Sequence, residues 1–234
     1  MLLFTIPHAG GSSLAYTKWR TFLSEDIVLY PLELPGHMSR AKEPLSTDFS
    51  EVLSDLSEQV IRVVTQKPDE PYAVYGHSMG SLLAYYMYFY LQEHQVRLPI
   101  HLFFSGRWPP YIRMPMDDID LDDELGFQEI AMSKGGIHRS ISDNKELLHY
   151  YVELIRADFR LMKNRTMEDK PRLIDVDFSV LWGTEDDDMD YTSLAEWKSA
   201  AGAGISFYQI NGTHLFTTEN PRDTVAAIHK AIGR

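Results

Sequence analysis

Ser78 lies in Gly76-His77-Ser78-Met79-Gly80, between the short apolar run Tyr72–Tyr75 and the apolar stretch Ser81–Tyr90. Gly-x-Ser-x-Gly between a strand and a helix is a tight reversal that leaves a serine hydroxyl exposed above the strand end. A serine alcohol is a weak nucleophile near neutral pH and needs a base to take its proton during attack. That base needs a carboxylate to fix its tautomer and stabilise the imidazolium. Both types follow in the order Ser, acid, His, each in a loop after a strand-like run. Glu185, Asp186, Asp187, Asp188 and Asp190 follow Leu181-Trp182-Gly183, and His214 follows Ile210-Asn211-Gly212-Thr213. The pentapeptide alone is weak evidence, and the agreement of three separate loops makes Ser78 the expected nucleophile.

The carboxylate must turn back toward the sheet, which favours a position soon after Gly183. Asp186 is therefore the expected acid, with Asp187 the alternative. His214 is the expected base because it sits between the last strand and the last helix. His8, His37, His77, His94, His101, His138, His149 and His229 are scattered elsewhere, and His77 reads as a packed residue of the turn. Acyl transfer also needs donors for a developing oxyanion. The backbone N–H of Met79 is one. The loop Pro7-His8-Ala9-Gly10-Gly11 supplies the other, with Ala9 preferred and Gly10 possible. The chain has no cysteine and no His-Glu-x-x-His, so metal-assisted hydrolysis has little support.

The elements that must position these residues alternate. Leu2–Ile6, Ile27–Tyr30, Tyr72–Tyr75, Ile100–Ser105, Asp177–Trp182 and Ile205–Ile210 read as strands. Helical patterns run through Leu14–Leu23, from Ser46-Thr47-Asp48 to Val64, over Ser81–Tyr90, over Ser193–Ala201 and from Pro221 to Ile232. Alternation of this kind predicts a mostly parallel, doubly wound α/β sheet, with the site at the carboxyl ends of its strands. It stops between about 108 and 172, where early prolines, the acidic run Asp117–Glu124, a Gly135-Gly136 break and the helical pattern Lys145–Met162 occur. That stretch is expected to be a helical lid inserted after the strand that follows Ser78.

The 234 residues fit a single domain carrying this insertion. The net charge of −12 argues against non-specific nucleic-acid binding. Met1–Ile6 lacks a basic leader and soon meets Pro7, and Leu82–Leu91 is too short to span a bilayer. With cysteine absent, a cytoplasmic protein is expected, and a monomer.

Pro7-His8-Ala9-Gly10-Gly11-Ser12, Leu34-Pro35-Gly36-His37 with Arg40 and Glu43-Pro44, Gly76–Gly80 and Ser105-Gly106-Arg107-Trp108-Pro109-Pro110 together resemble type II thioesterases. Asp158-Phe159-Arg160, Gly183-x-x-Asp186 with Trp197, and Gly212-Thr213-His214-Leu215-Phe216 extend the resemblance over essentially the whole chain. Such enzymes are free-standing editors of nonribosomal peptide and polyketide synthesis. The resemblance implies an α/β-hydrolase fold, a Ser78–Asp186–His214 triad, and Met79 and Ala9 as oxyanion donors. It implies hydrolysis of acyl thioesters carried on the phosphopantetheine arm of acyl or peptidyl carrier proteins, with no cofactor of the enzyme's own. His37 stands where the family often has arginine. The alternative activity is a carboxylesterase or lipase acting on small oxygen esters. An acidic carrier would be repelled by an acidic enzyme, so an apolar docking patch involving Met114 and Met116 is expected.

Overall fold

The computed structural model describes residues 1–134, 137, 141 and 143–233. Six strands form one sheet, β1 (Leu2–Ile6), β2 (Val28–Pro31), β3 (Tyr72–His77), β4 (His101–Ser105), β5 (Asp177–Gly183) and β6 (Ile205–Ile210). Their order is β2-β1-β3-β4-β5-β6, and every neighbouring pair is parallel. This is the α/β-hydrolase fold. The sheet is wholly parallel rather than mostly so.

Two cores follow from the period-two alternation of the strands. Leu2, Phe4, Ile6, Val74, Leu102, Phe104, Phe178 and Val180 face one side, where they pack under α1 (Phe49–Gln66) and α2 (Met79–Glu93). Leu3, Ala73, Tyr75, Phe103 and Leu181 face the other, against a 3₁₀ helix at Ser13–Thr21 and the closing α7 (Pro221–Ala231). The helix α1 starts because the Asp48 carboxylate accepts from the Glu51 N–H at 2.9 Å, satisfying one of its orphan donors. Its buried stripe of Val52, Leu56, Val60 and Val64 recurs at helical spacing. Tyr16 and Trp19, three residues apart, share one face of the 3₁₀ helix, whose period is three.

The segment between β4 and β5 contains a short 3₁₀ helix (Pro115–Asp118), α3 (Glu124–Lys134) and α4 (Lys145–Lys163). The expected Gly135-Gly136 break and His138 lie outside the described residues. The expected helix Ser193–Ala201 is instead α5 (Tyr191–Ala195) followed by 3₁₀ helix (Glu196–Ala200). That turn delivers Trp197, which stacks on Phe104 at 4.3 Å and donates to the Arg107 carbonyl, securing the end of β4. A short α6 (Phe216–Glu219) precedes α7. Among the described residues no helix is long and apolar enough to cross a membrane.

His101 lies within the sheet, 6% exposed, its Nε2 2.8 Å from the Ser179 hydroxyl. Burial pushes its pKa down to about 4. The folded protein therefore holds this ring neutral while the unfolded chain protonates it below about pH 6.5. Stability is complete above that pH and is lost as pH falls toward 4, by at most roughly 1.4 kcal/mol per pH unit from this ring. Replacing His101→Gln should flatten the pH dependence of the urea unfolding free energy between pH 6.5 and 4. Equal slopes in the two proteins would contradict a neutral buried imidazole.

Candidate active site

β3 ends at His77 and α2 begins at Met79, so Ser78 alone makes the turn. It does so at φ 54° and ψ −112°, a conformation that costs an L-residue energy. The turn closes only because its flanks lack side chains. A Cβ on Gly76 would lie 2.0 Å from the Gly80 carbonyl oxygen, and one on Gly80 would lie 2.1 Å from that of Ile6. Ser78 opens on a cavity of about 220 Å³ whose walls also include Ala9, Met114, Met116, Ile155, Phe159 and His214.

His214 Nδ1 is 2.7 Å from Asp186 Oδ2. A carboxylate accepts only, so Nδ1 carries the proton and Nε2 is left as the basic nitrogen. The Asp186 carboxylate is buried and also accepts from the Asp188 N–H, whereas Asp187 points to solvent. Of the two acids considered, only Asp186 reaches the histidine. The Ser78 hydroxyl makes no hydrogen bond among the described residues, although it shares the cavity with His214. Such contacts commonly tighten only when substrate is bound.

A second polar chain lies beneath the first. His77 Nε2 is 2.8 Å from the His214 carbonyl, which can only accept, so Nε2 donates and Nδ1 accepts. The Ser105 hydroxyl therefore donates to His77 Nδ1 at 2.9 Å and accepts from the Tyr75 hydroxyl at 2.7 Å. Ser105 is fully buried and cannot meet a substrate. Burial, then the neighbouring His214 and His8, push the His77 pKa well below its ordinary value. His8, on the cavity wall, is likewise pushed down to about 4 by burial and by His214. Both imidazoles next to His214 are thus kept neutral. His77 is the packed residue expected of it.

In the loop after β1 the His8 carbonyl accepts from the Gly11 N–H at 2.9 Å. The Gly10 N–H donates to Asp158 Oδ2 at 2.7 Å, so it is occupied. Ala9, on the cavity wall, and Met79, first residue of α2, have N–H groups with no protein acceptor among the described residues. Of the two loop donors considered, Ala9 is the one left open.

A family model for the thioesterase domain matches residues 2–232. The chain belongs to the thioesterase family. It is 29% identical to the human medium-chain S-acyl fatty acid synthase thioesterase, over 92% of this chain and 80% of that one. It is 27% identical to the gramicidin S biosynthesis protein GrsT of Aneurinibacillus migulanus, over 98% of this chain and 88% of that one. Among solved structures, ClbQ from the colibactin NRPS/PKS pathway superposes with a TM-score of 0.87 at 27% identity, covering 99% of this chain and 96% of that one.

The thioesterase departs from expectation around the cavity. Met114 is buried and Met116 half-buried, and both line the cavity, so they do not form an exposed docking patch. Arg156 and Lys163 of α4 donate to the Leu121 and Ile119 carbonyls and hold the stretch after Met116 against that helix. Arg40 is held by Glu43 and Asp55, and Arg107 is buried with its Nη1 against the Met116 and Met162 sulfurs, so neither is a free surface cation. The role of His8 on the wall and the Asp158 contact to the loop were not foreseen. No group of three His, Cys, Asp or Glu residues among those described is placed to hold a metal ion.

The two acids separate by mutation. Asp186→Asn should lower kcat on the order of 10⁴-fold, the effect of losing the carboxylate that sets the base's tautomer. Asp187→Asn should leave kcat within a few-fold. The reverse pattern in steady-state thioester hydrolysis would reject the assignment.

Proposed function

We propose that this thioesterase hydrolyses acyl groups from the phosphopantetheine arm of acyl or peptidyl carrier proteins, clearing stalled or misprimed chains in nonribosomal peptide or polyketide biosynthesis. The observation that carries the chemistry is half-buried His214, bonded to buried Asp186, opening with Ser78 on its strained turn on one apolar cavity. The likeness to GrsT and ClbQ supports the biosynthetic setting. In this reading the protein is a cytoplasmic single-domain monomer, and the segment about 108–172 is a lid over the cavity. It calls for no nucleic acid, membrane or cofactor.

Ser78 Oγ attacks the thioester carbonyl as His214 Nε2 takes its proton, and Asp186 stabilises the imidazolium. The carbonyl oxygen, now an oxyanion, receives the N–H groups of Ala9 and Met79. The C–S bond breaks, and the pantetheine sulfur leaves as a thiol with the proton from His214. Water enters, gives its proton to His214 and attacks the acyl-Ser78 ester. The tetrahedral adduct collapses, Ser78 recovers its proton, and the carboxylic acid departs. A thioester is already activated, so these groups suffice.

The likeness to the human fatty acid synthase thioesterase, together with the apolar cavity wall, favours a second reading as a fatty-acyl releasing enzyme. Parallel hydrolysis of acetyl- and octanoyl-loaded carrier proteins, the same acyl-pantetheines and nitrophenyl esters separates the possibilities, with Ser78→Ala as control. Highest kcat/KM on short acyl-carrier proteins is the expected result, and octanoyl preference would favour fatty-acyl release. Preference for free oxygen esters over every carrier substrate would sink both in favour of a carboxylesterase. The Ser78→Ala protein should be reduced by several orders of magnitude on all of them.

A further inference from the structure

Asp158 lies on α4, far along the chain from the loop after β1, yet its carboxylate touches that loop. It is 2% exposed, and one oxygen, Oδ2, accepts from both the Gly10 N–H at 2.7 Å and His37 Nε2 at 3.0 Å. His37 is equally buried, and its Nδ1 is 2.9 Å from the Pro35 carbonyl. Both ring nitrogens therefore face groups that only accept, so the ring carries two protons and a positive charge. Burial opposes that charge, but the hydrogen bond to Asp158 and its negative charge hold the His37 pKa above its ordinary value. A charged, hydrogen-bonded pair thus grips a single backbone amide.

That amide has particular importance. The His8 carbonyl and Gly11 N–H close a four-residue turn with Ala9 and Gly10 at its centre. Gly10 has φ +74°, as the third residue of a type II turn requires. The central peptide of such a turn can flip to the type I form, which points the Gly10 N–H the opposite way. Asp158 bonds to that N–H and so selects one orientation. The same helix blocks other residues at this place, since a Cβ on Gly10 would lie 2.4 Å from Ile155 Cγ1. Because a trans peptide directs C=O and N–H oppositely, the His8 carbonyl turned toward Gly11 leaves the Ala9 N–H pointing out of the turn in either form. The Gly10–Asp158 bond therefore fixes where the turn sits, and the Ala9 N–H with it, rather than the direction of the Ala9 peptide.

We infer that Asp158, charge-paired with His37, is a positioning residue that locks the turn carrying the Ala9 N–H, making α4 part of the oxyanion machinery as well as a wall of the cavity. It acts through the loop and does not touch substrate. This rests on the reading of the site as a thioester hydrolase that uses Ala9 as a donor. Docking of α4 and readiness of the oxyanion site then become one event, because displacement of α4 takes the Gly10 acceptor with it.

Removing Asp158 alone would also strip buried His37 of the partner that keeps it charged and leave its Nε2 without that hydrogen bond. The test therefore uses Asp158→Ala combined with His37→Leu, beside Asp158→Asn, which keeps an acceptor for Gly10. With acetyl- and octanoyl-pantetheine as substrates, the double variant should lose roughly 10- to 100-fold in kcat, somewhat less than removal of an oxyanion donor itself. The loss should be equal for both substrates, with KM unchanged. Its affinity for an acyl trifluoromethyl ketone, which forms an oxyanion on Ser78, should fall by a similar factor. Asp158→Asn should recover most of kcat. Unchanged kcat in the folded double variant, or a loss confined to KM or to the octanoyl substrate, would overturn the inference and leave α4 as a wall only. In the wild-type protein the Gly10 amide should exchange slowly with solvent, and fast exchange would overturn it without any variant. Absence of wild-type turnover on both thioesters would instead reject the hydrolase reading, a distinguishable result.

Discussion

The site depends on a backbone contact closer than any side chain allows. α2 descends onto β1 until Gly80 meets the Ile6 carbonyl, and Gly76 meets the Gly80 carbonyl within the turn itself. Only this approach lets a strand become a helix across one residue, which must then adopt a positive φ. Such a conformation costs about 1–3 kcal/mol at a residue other than glycine. It persists because β1, β3 and β4 are buried from end to end, as is α2 from Met79 to Tyr85, and they leave the turn no alternative. The same strand order sets β1 and β4 on either side of β3, so the loop with Ala9 flanks Ser78 on one side and Ser105-Gly106 on the other.

Around that contact the polar groups are arranged so that each has one permitted hydrogen-bond direction. Tyr75, Ser105 and His77 end on the His214 carbonyl and fix that residue's backbone, while Asp186 fixes its ring. The two rings nearest His214 are neutral because burial makes their charge expensive. In the proposed mechanism an imidazolium forming on His214 would therefore meet no adjacent cationic histidine. Preorganisation here consists of fixed dipoles and a shielded carboxylate, which need not rearrange as charge develops.

Much of this was legible because it is local. Strand runs such as Leu2–Ile6 are apolar throughout, as parallel strands covered on both faces must be, and their bounds shifted by only a residue or two. Ser78, Asp186 and His214 could be nominated because each follows a strand and reach limits the acid. The start of α2 at Met79 rather than Ser81 reflects the sharpness of the turn, which a propensity reading does not see. Tertiary contacts were not legible. Gly10 and Asp158 are 148 positions apart, and His37 and Asp158 are 121 apart, with no local pattern linking them. Met114 and Met116 read as surface candidates because a short proline-rich stretch has no periodicity to reveal which way it faces.

The cavity wall bears on how such an enzyme chooses substrates. Met114, Met116, Ile155 and Phe159 offer dispersion and desolvation, worth about 0.8 kcal/mol for each methylene buried. An apolar wall of this kind separates neighbouring acyl groups by only about 1–3 kcal/mol, and methionines adapt to misfit rather than punish it. A tolerant acyl pocket suits the proposed removal of miscellaneous stalled groups better than the release of one defined product. Selectivity against properly loaded carriers must then come from elsewhere than the pocket. If α4 both covers the acyl group and holds the oxyanion turn, an acyl group that keeps α4 from seating would be hydrolysed slowly however well its carbonyl reaches Ser78. Discrimination would then appear in kcat rather than in binding, where a tolerant wall could not supply it.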